Sequence, residues 1–222
     1  MPLLIFDWDG TLMDSTAQIV RTVRAAAADV GVEAPAPEAV LHIIGLSLDV
    51  AMQQLFPSLL EEQRAALLAA YARRFMAGDG GAATLFDGAR TLIDDLALSC
   101  DLAIATGKSR RGLDRILHEQ GWQERFQTTR CADESASKPH PRMLFDILER
   151  LGYAAHEAVM IGDTSYDLAM ARAAGMPAIG VSWGAHARSA LAAENPLAIL
   201  DSMTALRHYL QHRLSAGAAY ES

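Results

Sequence analysis

Short apolar runs at 3–6, 102–105, 158–161, 178–181 and 198–200 alternate with longer stretches of helical period. Those stretches fall at 89–99, 110–120, 142–151, 165–174 and 203–213. Runs this short and this uniformly apolar predict strands buried on both faces. Strand followed by helix, repeated, predicts an α/β fold: a doubly wound parallel sheet with right-handed crossovers.

One region breaks the alternation. Residues 16 to about 75 hold no strand-like run but carry helical patterns at 17–29, 37–44, 48–55 and 61–76. A glycine-rich stretch, 78–81, follows. This predicts a helical insertion after the first strand. Residues 1–15 and 81–222 then form the α/β core, and residues 16–80 form a separate helical domain. Residues 215–222 read as a frayed tail.

In open α/β sheets, ligands bind at the carboxyl ends of the strands. Asp7 and Asp9 follow the first apolar run, and Thr106, Gly107 and Lys108 follow the second. Asp163 and Asp167 follow the run at 158–161. Lys138 falls near the expected end of a further strand. Clustered carboxylates repel one another unless a cation sits among them. An all-oxygen set including Asp7 and Asp163 suits Mg²⁺, which also keeps water and substrate phosphate in its shell. Lys138 adds a compact positive charge and Thr106 a hydroxyl donor, and both suit a phosphoryl group in transfer. Two other motifs fail. A nucleotide-binding P-loop ending in Gly107-Lys108-Ser109 needs glycine where Leu102 stands. A calcium loop starting at Asp7 needs Gly and Glu where Leu12 and Gln18 stand.

The run Phe6-Asp7-Trp8-Asp9-Gly10-Thr11-Leu12, then Thr106, then Lys138-Pro139, then Gly162-Asp163-Thr164-Ser165-Tyr166-Asp167 resembles the four motifs of the haloacid dehalogenase superfamily. The insertion resembles that superfamily's four-helix cap. The segment 162–176 is similar to the phosphoglycolate phosphatase branch. The resemblance implies that Asp7 is a nucleophile on phosphorus and Asp9 its general acid and base. It implies that the Asp7 side chain, the Asp9 carbonyl and Asp163 hold Mg²⁺, with Asp167 supporting them. Thr106, Gly107 and Lys138 would bind the phosphoryl group. Asp9 points to phosphoryl transfer, because the superfamily's dehalogenases lack an acid there and a halide needs no proton to leave. Gly107 departs from the asparagine common in close relatives. His42 and Ser47, in the cap turn, are expected at the substrate; the plainer alternative is a surface histidine and a helix N-cap serine.

The implied activity is hydrolysis of a small phosphorylated metabolite, phosphoglycolate-like or a sugar phosphate. The core motifs leave open a mutase of the β-phosphoglucomutase type and an inorganic pyrophosphatase. A non-catalytic scaffold fits less well, because it has no need of four clustered charges. The net charge of −8 and pI near 5.3 argue against nucleic-acid and anionic-membrane partners. The two cysteines, Cys100 and Cys131, form no metal-binding pattern and read as reduced thiols. With no signal-like or membrane-spanning stretch, the expectation is a cytoplasmic protein, monomeric or weakly dimeric.

Overall fold

The structure, a computed structural model, describes residues 2–78 and 80–215. Six parallel strands form one sheet: β1 (Leu3–Phe6), β4 (Asp101–Thr106), β5 (Thr128–Cys131), β6 (Ala158–Gly162), β7 (Ala178–Val181) and β8 (Ala198–Leu200). Their order is β5-β4-β1-β6-β7-β8. Leu3 of β1 registers with Asp101 on one side and Ala158 on the other. The strand order reverses at β1, so the crevice above β1 is where such a sheet holds its ligand.

The alternation of side chains along each strand sorts the core into two layers. Leu4, Phe6, Ile104, Ile161 and Val181 point into one layer. It is closed by α5 (Ala89–Leu96), α6 (Arg110–Gln120) and α10 (Met203–Ser215). Leu3, Ile5, Ala103 and Met160 point into the other. It is closed by α7 (Arg142–Leu151), α8 (Ser165–Ala173) and α9 (Arg188–Ala192).

The predicted strands all form. β5 was not marked by any apolar run. Its sequence, Thr-Thr-Arg-Cys, is that of a half-buried edge strand, which needs β-branched residues more than apolar ones. The helix expected at 89–99 stops at Leu96, and the chain turns there, leaving Leu98 exposed. Helix α9 had no counterpart in the pattern because it is short. Of the tail expected at 215–222, only Ser215 falls among the described residues, as the last residue of α10; residues 216–222 lie outside them.

Four helices are inserted between two short strands. They are α1 (Thr16–Asp29), α2 (Pro37–Ile43), α3 (Leu48–Leu55) and α4 (Glu61–Ala77). They pack around a core of their own, with Val23, Ala26, Val40, Met52, Leu67 and Ala70 buried at its centre. The flanking strands, β2 (Met13–Asp14) and β3 (Thr84–Leu85), pair antiparallel. Hence the chain leaves and re-enters the α/β layer through one two-stranded ribbon. Arg21 of α1 donates to the Gly80 carbonyl at 2.8 Å, which ties the returning segment to the first inserted helix. Gly78 and Gly81 on that segment both take positive φ, a conformation open to glycine at little cost. Among the described residues, no helix is long and apolar enough to cross a membrane.

Leu4 lies at the centre of the sheet with no exposure. Leu4→Ala is expected to lower stability by about 2–5 kcal/mol, read as a reduced urea midpoint with an unchanged slope.

Candidate active site

The carboxyl ends of β1, β4 and β6 deliver Asp7, Thr106 and Asp163 to one crevice. Asp7, Asp163 and Asp167 are all buried, and one ligand oxygen from each lies within 4.8 Å of the others. A single ammonium stands among them. Lys138 Nζ donates to Asp7 Oδ1 and to Asp167 Oδ1, both at 2.6 Å. Burial alone would push the Lys138 pKa down. The charges of Asp167 and Asp7 outweigh that and hold it above the usual lysine range. Lys138 therefore stays charged.

Each acid is fixed differently. Asp167 uses both oxygens: Oδ2 accepts from the Thr164 hydroxyl at 2.7 Å and the Thr164 N–H at 3.1 Å. Thr164 and Asp167 thus cap the start of α8 reciprocally. Asp163 accepts from the Thr11 hydroxyl and from the Ala185 N–H, both at 2.7 Å. Burial and the charge of Asp167 raise its pKa to about 7 against those donors. Asp7 is raised as well, by burial first and then by Asp167 and Asp163, with Lys138 opposing. Its Oδ2 is buried without a hydrogen-bond partner.

Glycines let the backbone close on these acids. A Cβ on Gly10 or Gly184 would overlap the Asp163 carboxylate, and one on Gly162 would overlap Asp167. Gly10 also has φ +86, where any other residue is strained.

Asp9 stands apart from the cluster. Ser15 donates to its Oδ1 at 2.7 Å, and Lys108 Nζ lies 2.9 Å from its Oδ2. Lys108 is nearly buried and sits 5.0 Å from the Phe75 ring centroid of α4. The sequence places Lys108 at the end of the second apolar run, two residues after Thr106, but gives it no role; its pairing with Asp9 appears only in the fold. Thr106 is buried, and its Oγ1 accepts from the Lys108 N–H at 3.2 Å.

A cavity of about 250 Å³ opens over Asp7, Asp9, Thr106 and Lys108, roofed by α1–α4. Gly107 lines it and is where roof and floor meet. A Cβ there would come within 2.6 Å of the Gly45 and Leu46 carbonyl oxygens. His42, in the last turn of α2, and Ser47, at the N-cap of α3, do not line the cavity. The His42 ring stacks on His186 at 5.4 Å, and its carbonyl accepts from the Tyr166 hydroxyl at 3.0 Å. The Ser47 N–H donates to Ser137 Oγ at 2.9 Å, and Ser47 stands at the N-cap of α3 without a side-chain capping bond. Both therefore dock the insertion on the core, the contact having been made before the cavity begins.

Trp8 is fully buried, edge-on to Trp122, on the core side. Trp183 packs against Phe86 and donates to the Thr11 carbonyl. Arg110 is held by Glu134, Asp114 and Thr129, whereas Arg111 reaches the cavity rim.

A family model, "Haloacid dehalogenase-like hydrolase", matches residues 4–181. The chain belongs to the haloacid dehalogenase-like hydrolase family. "Probable phosphatase IndB" of Dickeya dadantii is 35% identical over 214 residues, spanning 91% of this chain and 90% of that protein. A "Phosphoglycolate phosphatase" of Xanthomonas campestris is 33% identical over 183 residues, 82% of this chain and 83% of that one. The crystal structure of a hydrolase from Pseudomonas syringae superposes with a TM-score of 0.85 at 22% identity, covering 95% of this chain and 98% of that chain. That likeness establishes the fold shared by this hydrolase and its neighbour.

Asp163 makes the folded state sensitive to pH. Its folded pKa of about 7 lies above the usual 3.8, so the folded protein keeps a proton that the unfolded chain releases. Stability from this group is complete below about pH 4 and is lost as pH rises toward 7. Asp163→Asn cannot ionise. In chelator, its melting temperature relative to wild type is expected to climb by several degrees between pH 5 and pH 7.5, then level off. A difference that stays constant with pH would show that Asp163 is ionised throughout.

Proposed function

We propose that this hydrolase is a Mg²⁺-dependent phosphatase that cleaves a small phosphorylated metabolite through a phosphoryl group carried on Asp7. The observation that supports this most directly is Asp7 itself. One oxygen is pinned by Lys138, while the other is buried, unpartnered and part of a residue lining the cavity. A structural carboxylate would be satisfied on both oxygens. A nucleophile must leave one free.

The site fits a divalent cation. Three buried carboxylates share one ammonium, and the donors are all oxygen, as Mg²⁺ prefers. Asp7, Asp163 and the Asp9 carbonyl would hold it. Asp167 meets Lys138 and Thr164 and would brace the site beside it. When bound, Mg²⁺ neutralises charge on the phosphoryl oxygens.

The remaining steps belong to the protein. The free oxygen of Asp7 attacks phosphorus as the ester P–O bond breaks. Asp9, oriented by Ser15 and paired with Lys108, takes up a proton from solvent as the ester binds and passes it to the departing alkoxide oxygen. It then takes a proton from the water that attacks phosphorus. The Asp7–phosphorus bond breaks, and inorganic phosphate leaves. Lys138, Thr106 and the backbone at Gly107 bind the phosphoryl oxygens. Residues 16–80 act as a cap on the core formed by 1–15 and 81–222. The β2–β3 ribbon and the glycines at 78 and 81 serve as its hinge.

The test is phosphate release from a panel of small phosphate esters. Release is expected with Mg²⁺ and not with chelator, and Asp7→Asn is expected to abolish it. Release that survives Asp7→Asn would refute the covalent route. Asp9→Asn is expected to lower kcat by about 10²–10⁴-fold. Mass spectrometry of Asp9→Asn mixed with substrate should find the phosphoryl group on the peptide that holds Asp7, if the first step outlasts loss of the acid better than the second.

A further inference from the structure

The two walls of the cavity differ in chemistry. The core wall carries Asp7, Asp9, Thr106 and Lys108, with Arg111 and Arg115 at its rim. Among the described residues, every one that α1–α4 and their loops lend to the cavity is uncharged. Tyr71 supplies the only polar side chain of that roof, and its ring stacks on Phe75 at 5.7 Å. Burial, reinforced by the charge of Asp9, pushes the Tyr71 phenol up, so it stays neutral. Met52, Phe75, Ile44 and Leu46 complete the apolar surface facing the acids.

The cations nearby are already engaged or exposed. Lys108 is paired with Asp9 and covered by Phe75. Arg115 lies 3.7 Å from Glu119 and 3.7 Å from Met76 Sδ. Arg111 is exposed to solvent, where an ion pair contributes little. A carboxylate or a ring of hydroxyls under this roof would lose its water and gain few partners, which costs binding. An apolar group loses nothing and gains the burial. Size sets the other limit. An apolar protein cavity of about 150 Å³ holds benzene. The 250 Å³ here takes a group of that size together with the phosphoryl group.

Building on the phosphatase reading, we propose that the enzyme selects phosphate monoesters whose alcohol carries a compact, ring-sized apolar group, and that the α1–α4 roof makes the selection.

The experiment compares kcat/KM for benzyl phosphate, 2-phosphoglycolate and glucose 6-phosphate with Mg²⁺ present. All three release an alkyl alcohol, so the comparison reports the roof more than the leaving group. Benzyl phosphate is expected to exceed both others by about tenfold or more, the scale on which a hydrophobic pocket discriminates. If 2-phosphoglycolate or glucose 6-phosphate is hydrolysed as well or better, the apolar selection is overturned while the phosphatase reading stands. If none of the three is hydrolysed, the selection falls together with the phosphatase reading. Phe75→Ala provides a check on the roof. It is expected to shrink the benzyl advantage severalfold. An equal loss on every ester would mark Phe75 as mere support for Lys108 and would overturn the assignment to this wall.

Discussion

The site depends on one buried ammonium. Lys138 is fully enclosed, and its charge is tolerable only because Asp7 and Asp167 meet it at 2.6 Å. The same contacts decide what each acid can do. Asp167 is consumed by Lys138 and the α8 cap, so it is a brace. Asp7 gives up one oxygen and keeps the other without a partner. Removing the ammonium would leave three carboxylates buried together, a state that burial and mutual repulsion both oppose. Close packing extends the constraint to the backbone. Gly10, Gly162 and Gly184 are required because the acids occupy the space where a Cβ would stand.

The insertion depends on the core in a similar way. Gly107 lies so close to the Gly45–Leu46 backbone that only a missing side chain permits the approach. The Ser47–Ser137 bond and the His42–His186–Tyr166 group hold the same loop against the core. These contacts ring the cavity without entering it. Docking contacts and cavity lining thus fall to different residues of one short segment. Ile43 to Leu46, between His42 and Ser47, line the cavity, while His42 and Ser47 contact the core at the seam.

Much of this was legible in the sequence, and for a physical reason. A strand buried on both faces is short and apolar, so its end is easy to find, and the polar groups of the crevice follow at once. Asp7, Thr106 and Asp163 were placed that way, and the fold around them agrees. Lys138 was harder, because β5, which precedes it, is an edge strand with no apolar signature. The partners of Lys108 were not legible. Pairing with Asp9 joins two strand ends about a hundred positions apart, and covering by Phe75 needs the insertion folded back over the sheet. His42, in the last turn of α2, and Ser47, at the N-cap of α3, lie beside the cavity, but two short helices joined by a turn leave no period in the sequence that says which side chains face inward.

The roof shows why motif reading stops at reaction class. Phosphoryl chemistry demands particular groups at fixed distances, so it leaves a pattern in the chain. Selection of an apolar group demands only that no charge intrude and that the volume fit. Many sequences meet that requirement, and in the chain it looks like the inner face of any amphipathic helix. Tyr71 and Phe75 are indistinguishable by pattern from Leu67 and Ala70, which fill the insertion's own core. Only the folded arrangement separates the apolar residues that hold the four helices together from those left facing Asp7 and Asp9. The polarity of that second set is the property that distinguishes this hydrolase from a member with the same acids and a charged roof.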